Sequence, residues 1–97
     1  MELTLEFAGG LENLFEQKKK HQVSLPKTIV TLEDLLGWLK ENMLNNKTDE
    51  LLTEEEDDLR SGIICFINEI DYALCGFLEY ELQASDTISF ISTIHGG

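Results

Sequence analysis

Thr31-Leu32-Glu33-Asp34-Leu35-Leu36-Gly37-Trp38-Leu39-Lys40-Glu41-Asn42-Met43 is the stretch that decides the fold. A hydroxyl at Thr31 with an acid three residues on predicts a capped helix start. Asp34 also suits the positive end of the helix dipole. Leu32, Leu35, Leu36, Leu39 and Met43 recur at i, i+3, i+4, i+7 and i+11, one continuous apolar stripe. Gly37 interrupts a good helix former, and Asn45-Asn46 is the expected stop. This is the one long helix that the pattern predicts, and it has a single face to bury.

The segments around it read as strands. Glu2-Leu3-Thr4-Leu5-Glu6-Phe7 alternates, with Leu3, Leu5 and Phe7 on one face. Gly9-Gly10 breaks it, and Leu11, Leu14 and Phe15 are spaced for one helical turn. A second strand is expected around His21 to Leu25, ended by Pro26. Its His21 is expected to face solvent. Ile63-Ile64-Cys65-Phe66-Ile67 is apolar throughout, which suggests a central strand covered on both faces. Asp71 to Leu74 reads as a short strand, Gly76 and Ser85-Asp86 as turns, and 87–92 as the last strand. The order is β-β-α-β-(β)-β.

One helix covers one face of such a sheet. Apolar residues from 63–67 and 87–91 therefore remain on the other face, as a partner surface or under a loop. By strand alternation Ile91 and one of Ile64 or Phe66 are candidate docking residues; plain core packing is the alternative.

The chain of 97 residues carries a net charge of −12, from 7 Lys+Arg against 19 Asp+Glu. That balance argues against direct nucleic-acid binding and favours partners with basic grooves. Residues 49–58 hold seven acids and no base and are expected to be a solvated loop. Apolar stretches reach about five residues, far short of the ~20 a membrane span needs, and residues 1–25 lack a signal-peptide pattern. A cytoplasmic location is expected, with the nucleus also open. Cys65 and Cys75 are expected as reduced, small apolar residues, although spacing does not exclude a disulfide. No metal site is predicted, because no Cys-x-x-Cys or paired-histidine spacing occurs. His21 and His95 leave few options for a catalytic triad, so no catalytic residue is assigned.

Residues 92–97 read Ser92-Thr93-Ile94-His95-Gly96-Gly97. Gly-Gly is a poor anchor for a fold, since glycine loses most conformational entropy on ordering. It is slim enough, however, to thread a narrow channel and present an α-carboxylate. A frayed end is the plain alternative.

This ending, together with the β-β-α-β order, resembles the ubiquitin-like β-grasp superfamily. Ile91 to Gly97 is similar to the tail of the eukaryotic ubiquitin-related modifiers that double as sulfur carriers. Glu6 to Phe15 resembles that family's first strand and turn, Lys19 to Pro26 its second strand, and Arg60 to Ile64 and Ile67 to Tyr72 its central segment. Ser61, Glu69 and Tyr72 depart from the family pattern, which usually has Pro, Asp and Trp there.

The resemblance implies an α+β fold. It is a mixed sheet of four to five strands packed on one main helix over residues 1–92, with an extended, flexible Gly-Gly tail at 93–97. It implies that Gly97 is the thiocarboxylate and conjugation site, with Gly96, His95, Ile94 and Thr93 lying in a partner's channel. An E1-like enzyme with a rhodanese domain would adenylate Gly97 with ATP and supply sulfur. The chain itself would bind no cofactor. A tRNA thiolase complex making 2-thiouridine at the wobble position, and lysines of target proteins, would be the acceptors, the latter particularly under oxidative stress. The protein would act as a monomeric carrier and not as an enzyme, without contacting nucleic acid or membrane. The small subunit of molybdopterin synthase and a noncovalent ubiquitin-like binding module are the other readings.

Overall fold

A computed structural model describes residues 1–45 and 47–94. Strand β1 (Glu2–Ala8) buries alternate residues, with Leu3, Leu5 and Phe7 inside. Strand β2 (Lys20–Ser24) pairs with it antiparallel, Leu3 opposite Val23 and Leu5 opposite His21. Helix α1 (Leu32–Asn42) is followed by β3 (Ile63–Ile67), β4 (Ile70–Asp71) and β5 (Thr87–Ser92). The sheet order is β2-β1-β5-β3-β4. β1 and β5 are parallel, and the other pairs are antiparallel. The parallel central pair fixes where the chain leaves the sheet: the end of β5 lies beside the end of β1, with Ala8 opposite Ile91.

Helix α1 begins as its sequence predicts. The Asp34 N–H donates to Thr31 Oγ1 (3.2 Å), and the Thr31 and Val30 N–H groups donate to Asp34 Oδ2 (3.1 and 2.9 Å). These donors, Val30 first and then Thr31, hold the Asp34 carboxyl below its ordinary pKa. Leu32, Leu35, Leu36 and Leu39 are buried against the sheet, each worth roughly 1.5–3 kcal/mol of transfer free energy. Gly37 lies on the outer side, where a Cβ would touch nothing within 4 Å, so it costs the helix up to ~1 kcal/mol with no packing return. The helix stops at Asn42, short of the expected Asn45-Asn46. The Met43 and Leu44 N–H groups both donate to the Leu39 carbonyl, a wide turn that swings Leu44 into the core.

Four further expectations are corrected. The acidic segment is not simply a solvated loop: Leu51, Leu52 and Leu59 are buried, and Leu52 bridges to Leu59. Its carboxylates face outward, where Glu56 pairs with Lys40 of α1 at 3.6 Å. β3 is covered on one face only, Cys65 and Ile67 being buried while Ile64 and Phe66 stay half-exposed.

The expected strand 71–74 is instead a 3-10 turn, Tyr72–Cys75, started by Asp71 Oδ1 accepting from the Ala73 N–H (2.9 Å). Only Ile70 and Asp71 remain as strand. His21 does not face open solvent. Opposite Leu5, it sits edge-on to Phe7 and Phe15 (ring centroids 5.6 and 5.2 Å apart), and its Nε2–H donates to the Lys18 carbonyl at 2.9 Å.

The core continues through Phe7, which stacks on Phe90 at 5.5 Å and meets Phe15 at 4.2 Å. Cys65 and Cys75 are free thiols, and burial, ahead of the nearby Asp71 and Cys75 charges, pushes Cys65 up to about 12. Fully buried among the core side chains, Cys65 packs as a small apolar residue. At the turn into β5, Asp86 is buried. It accepts from Asn68 Nδ2 (2.8 Å), Tyr80 Oη (2.6 Å) and the Gln83 N–H (2.8 Å). These bonds pin the start of the strand that carries the tail.

Candidate functional site

Two loops hold the root of the tail. Gly9, just past β1, has φ +70, and a Cβ there would fall 2.1 Å from the Ser92 carbonyl oxygen. No other residue lets that loop lie so close to the end of β5. Gly62, just before β3, has φ +95. Its carbonyl accepts from the Thr93 N–H (2.9 Å) and from Thr93 Oγ1 (2.7 Å). A Cβ on Gly62 would lie 2.6 Å from Ile94 Cγ2, so the missing side chain is the seat of Ile94. Thr93 and Ile94, expected from the resemblance to lie in a partner's channel, here rest on this loop. Ile94 is 52% exposed. His95, Gly96 and Gly97, the other tail calls, lie outside the described residues.

Beside the root is the open face of the sheet. The register sets Ile64 opposite Ile91 and Phe66 opposite Ser89, so both candidate residues of β3 emerge together with Ile91. All three are half-exposed. Phe66, Ile91, Ser89 and Glu69 line a shallow recess of about 300 Å³. Its polar margin is fixed: Ser89 Oγ donates to Glu6 Oε1 at 2.9 Å, and Lys20 approaches Glu6 Oε2 at 3.7 Å. Side chains with an apolar body and a satisfied polar rim suit docking of a protein surface.

Gly9 and Gly62 were not legible as tail-holding residues. Gly9-Gly10 reads as a turn, and its contact is with a strand at the other end of the chain. Among the described residues no group of three or more His, Cys, Asp or Glu is placed to hold a metal ion. Nor is any helix among them long and apolar enough to cross a membrane.

A five-stranded β-grasp sheet on one helix, with an apolar open face leading into a fixed tail root, defines a ubiquitin-like protein. The comparisons give the particular family. The model of the Urm1 (ubiquitin related modifier) family matches residues 2–97, and the chain belongs to that family. Ubiquitin-related modifier 1 of Mus musculus is 44% identical over 95 residues, covering 96% of this chain and 92% of the relative. The solution structure of Urm1 from Trypanosoma brucei superposes with a TM-score of 0.83 at 35% identity, covering 99% of this chain and 95% of that one. A chain of the Amycolatopsis orientalis BexX/CysO complex shares the fold at TM-score 0.73 and 21% identity, covering 98% of this chain and 99% of that one. The protein is thus a ubiquitin-like modifier, as its ending and central segment suggested.

Proposed function

We propose that this modifier is a sulfur carrier that works through the carboxylate of Gly97. The observation that carries the reading is the held root: Gly9 and Gly62 fix Ser92 to Ile94 beside an apolar face, three residues before Gly97. A free α-carboxylate, with a pKa near ~3.5, is ionised at neutral pH and a poor electrophile. It therefore needs activation by a partner. In this reading the Gly97 carboxylate oxygen attacks the α-phosphorus of ATP on an E1-like enzyme, and pyrophosphate leaves. A persulfide on that enzyme's rhodanese domain then displaces AMP from the acyl carbon. A second thiol of the partner then attacks the inner sulfur of that persulfide: its sulfur–sulfur bond breaks, a disulfide forms on the partner, and a thiocarboxylate is left at Gly97.

The docking surface would be Ile64, Phe66 and Ile91, with Thr93, Ile94, His95 and Gly96 in the channel. The thiocarboxylate sulfur would pass to a tRNA thiolase that makes 2-thiouridine at the wobble position. The same activated carbonyl would form isopeptide bonds with target lysines. Family membership supports this reading over the small subunit of molybdopterin synthase. That a chain of this fold was solved within the BexX/CysO complex supports recognition of the fold by a protein partner. A chain ending at Gly96 is the test: it should be neither thiocarboxylated nor conjugated. Retention of both reactions in that variant would leave only a noncovalent binding module.

A further inference from the structure

The outer side of α1 faces away from the sheet, and hence away from the open face and its recess. A groove of about 550 Å³ runs there between the helix and the loop after β2, lined by Pro26, Ile29, Glu33, Gly37, Trp38 and Glu41 among others. Three observations give it a chemical character. Gly37 forms its floor, with no packing reason to be glycine, since a Cβ would meet nothing. Trp38, the chain's single tryptophan, is half-exposed beside it. Glu33 and Glu41, one helical turn either side of Gly37, are exposed carboxylates. The ion pairs among the described residues, Lys20–Glu6 and Lys40–Glu56, involve neither of them. The third acid of the groove, Asp34, is occupied by the helix cap.

We propose that this groove is a second protein-docking surface, whose occupant is a basic segment of a partner that inserts an arginine side chain over Gly37. A guanidinium is planar, so it stacks on the indole of Trp38 while its N–H groups face the carboxylates of Glu33 and Glu41. The net charge of −12 opposes a second copy of this chain as occupant and attracts a basic one. Because the helix separates this groove from the open face, an occupant here does not compete with a partner holding the tail.

Trp38 reports its own occupancy. The test is a fluorescence titration of the full chain with acetyl-Arg-Arg-Arg-amide at low salt, with acetyl-Lys-Lys-Lys-amide alongside. The proposal expects saturable change in Trp38 emission, with the lysine peptide about threefold or more weaker. Gly37→Leu fills the floor and should weaken the arginine peptide by about tenfold or more while the thermal midpoint is unchanged or higher. The double variant Glu33→Gln, Glu41→Gln should weaken it similarly. Glu54→Gln with Glu55→Gln, in the acidic loop, should leave affinity unchanged. No saturable change in emission, or equal affinities in Gly37→Leu and the parent, would overturn the proposal. So would loss of affinity only in the acidic-loop variant, since the peptide would then be reading general charge.

Discussion

Thr93 bonds twice to one atom of Gly62: its N–H and its hydroxyl both donate to that residue's carbonyl oxygen, at 2.9 and 2.7 Å. The final strand is thereby prolonged past its last sheet pair, Ile63 with Ser92, and Ile94 is laid over a residue that has no side chain. Thr93→Val removes the side-chain bond and keeps the shape, whereas Thr93→Ser keeps the bond. Valine should lower stability by about 0.5–1.5 kcal/mol and serine by less. In activation assays the valine variant should lose more rate than serine, which is checked by single-turnover adenylation.

Gly9→Ala and Gly37→Ala should move stability in opposite directions. At Gly9 the new Cβ collides with the Ser92 backbone and the residue is held at φ +70. A loss of about 2–4 kcal/mol in urea unfolding is expected. At Gly37 the Cβ enters open space on a regular helix, and a gain of up to ~1 kcal/mol is expected.

Ile64→Ser, Phe66→Ser and Ile91→Ser should separate docking from folding. Each side chain is already half-exposed on the uncovered face, so each change should cost about 1 kcal/mol or less than the core truncation Phe90→Ala, which should cost about 3–5 kcal/mol. If the face receives the activating partner, KM for activation rises by about tenfold for at least one of them, with the maximal rate less affected.

Tyr80 should make alkaline stability depend on the Asp86 turn. Burial first, then the hydrogen bond to Asp86, pushes its phenol from 10.0 up to about 12. The folded state binds this proton more tightly than the unfolded chain. Its contribution is therefore complete below pH 10 and is lost as pH rises towards 12. Burial raises Tyr72 as well, and it raises Cys65 from 9.0 to about 12, so the whole protein weakens on the same side. Tyr80→Phe should cost about 1–2 kcal/mol at neutral pH, and the gap to the parent should close as the pH climbs through that window. Urea midpoints from neutral to strongly alkaline pH check this.

Elements governed by local rules were legible in the sequence. Thr31 and Asp34 wrote the helix cap, four leucines wrote its buried face, and alternation in 2–7 and 87–91 gave both central strands and their faces. What escaped depended on distant partners. Leu51, Leu52 and Leu59 are buried in the common core, but charge dominates their neighbourhood in the sequence. His21 is drawn against Phe7 and Phe15 only because strand pairing sets it opposite Leu5. Asp71 is the local exception: its Oδ1 accepts from the Ala73 N–H two residues on, and that one bond diverts the strand into a turn. For the site, alternation separated Ile64 and Phe66 from Cys65 and Ile67, and Ser89 and Ile91 from Ile88 and Phe90, but which set lies open was decided by the packing. The grip of Gly9 and Gly62 on the tail root was not legible, because each glycine's reason is a contact made across the sheet.

The most direct measurement is the intact mass of the chain after incubation with its E1-like, rhodanese-containing partner, ATP and a sulfur donor. The account predicts an ATP-dependent gain of about 16 Da confined to the C-terminal peptide and absent when Gly97 is deleted; localisation matters because thioether oxidation elsewhere adds the same about 16 Da. An unchanged mass with a demonstrably active partner, or a gain that survives deletion of Gly97, would contradict it.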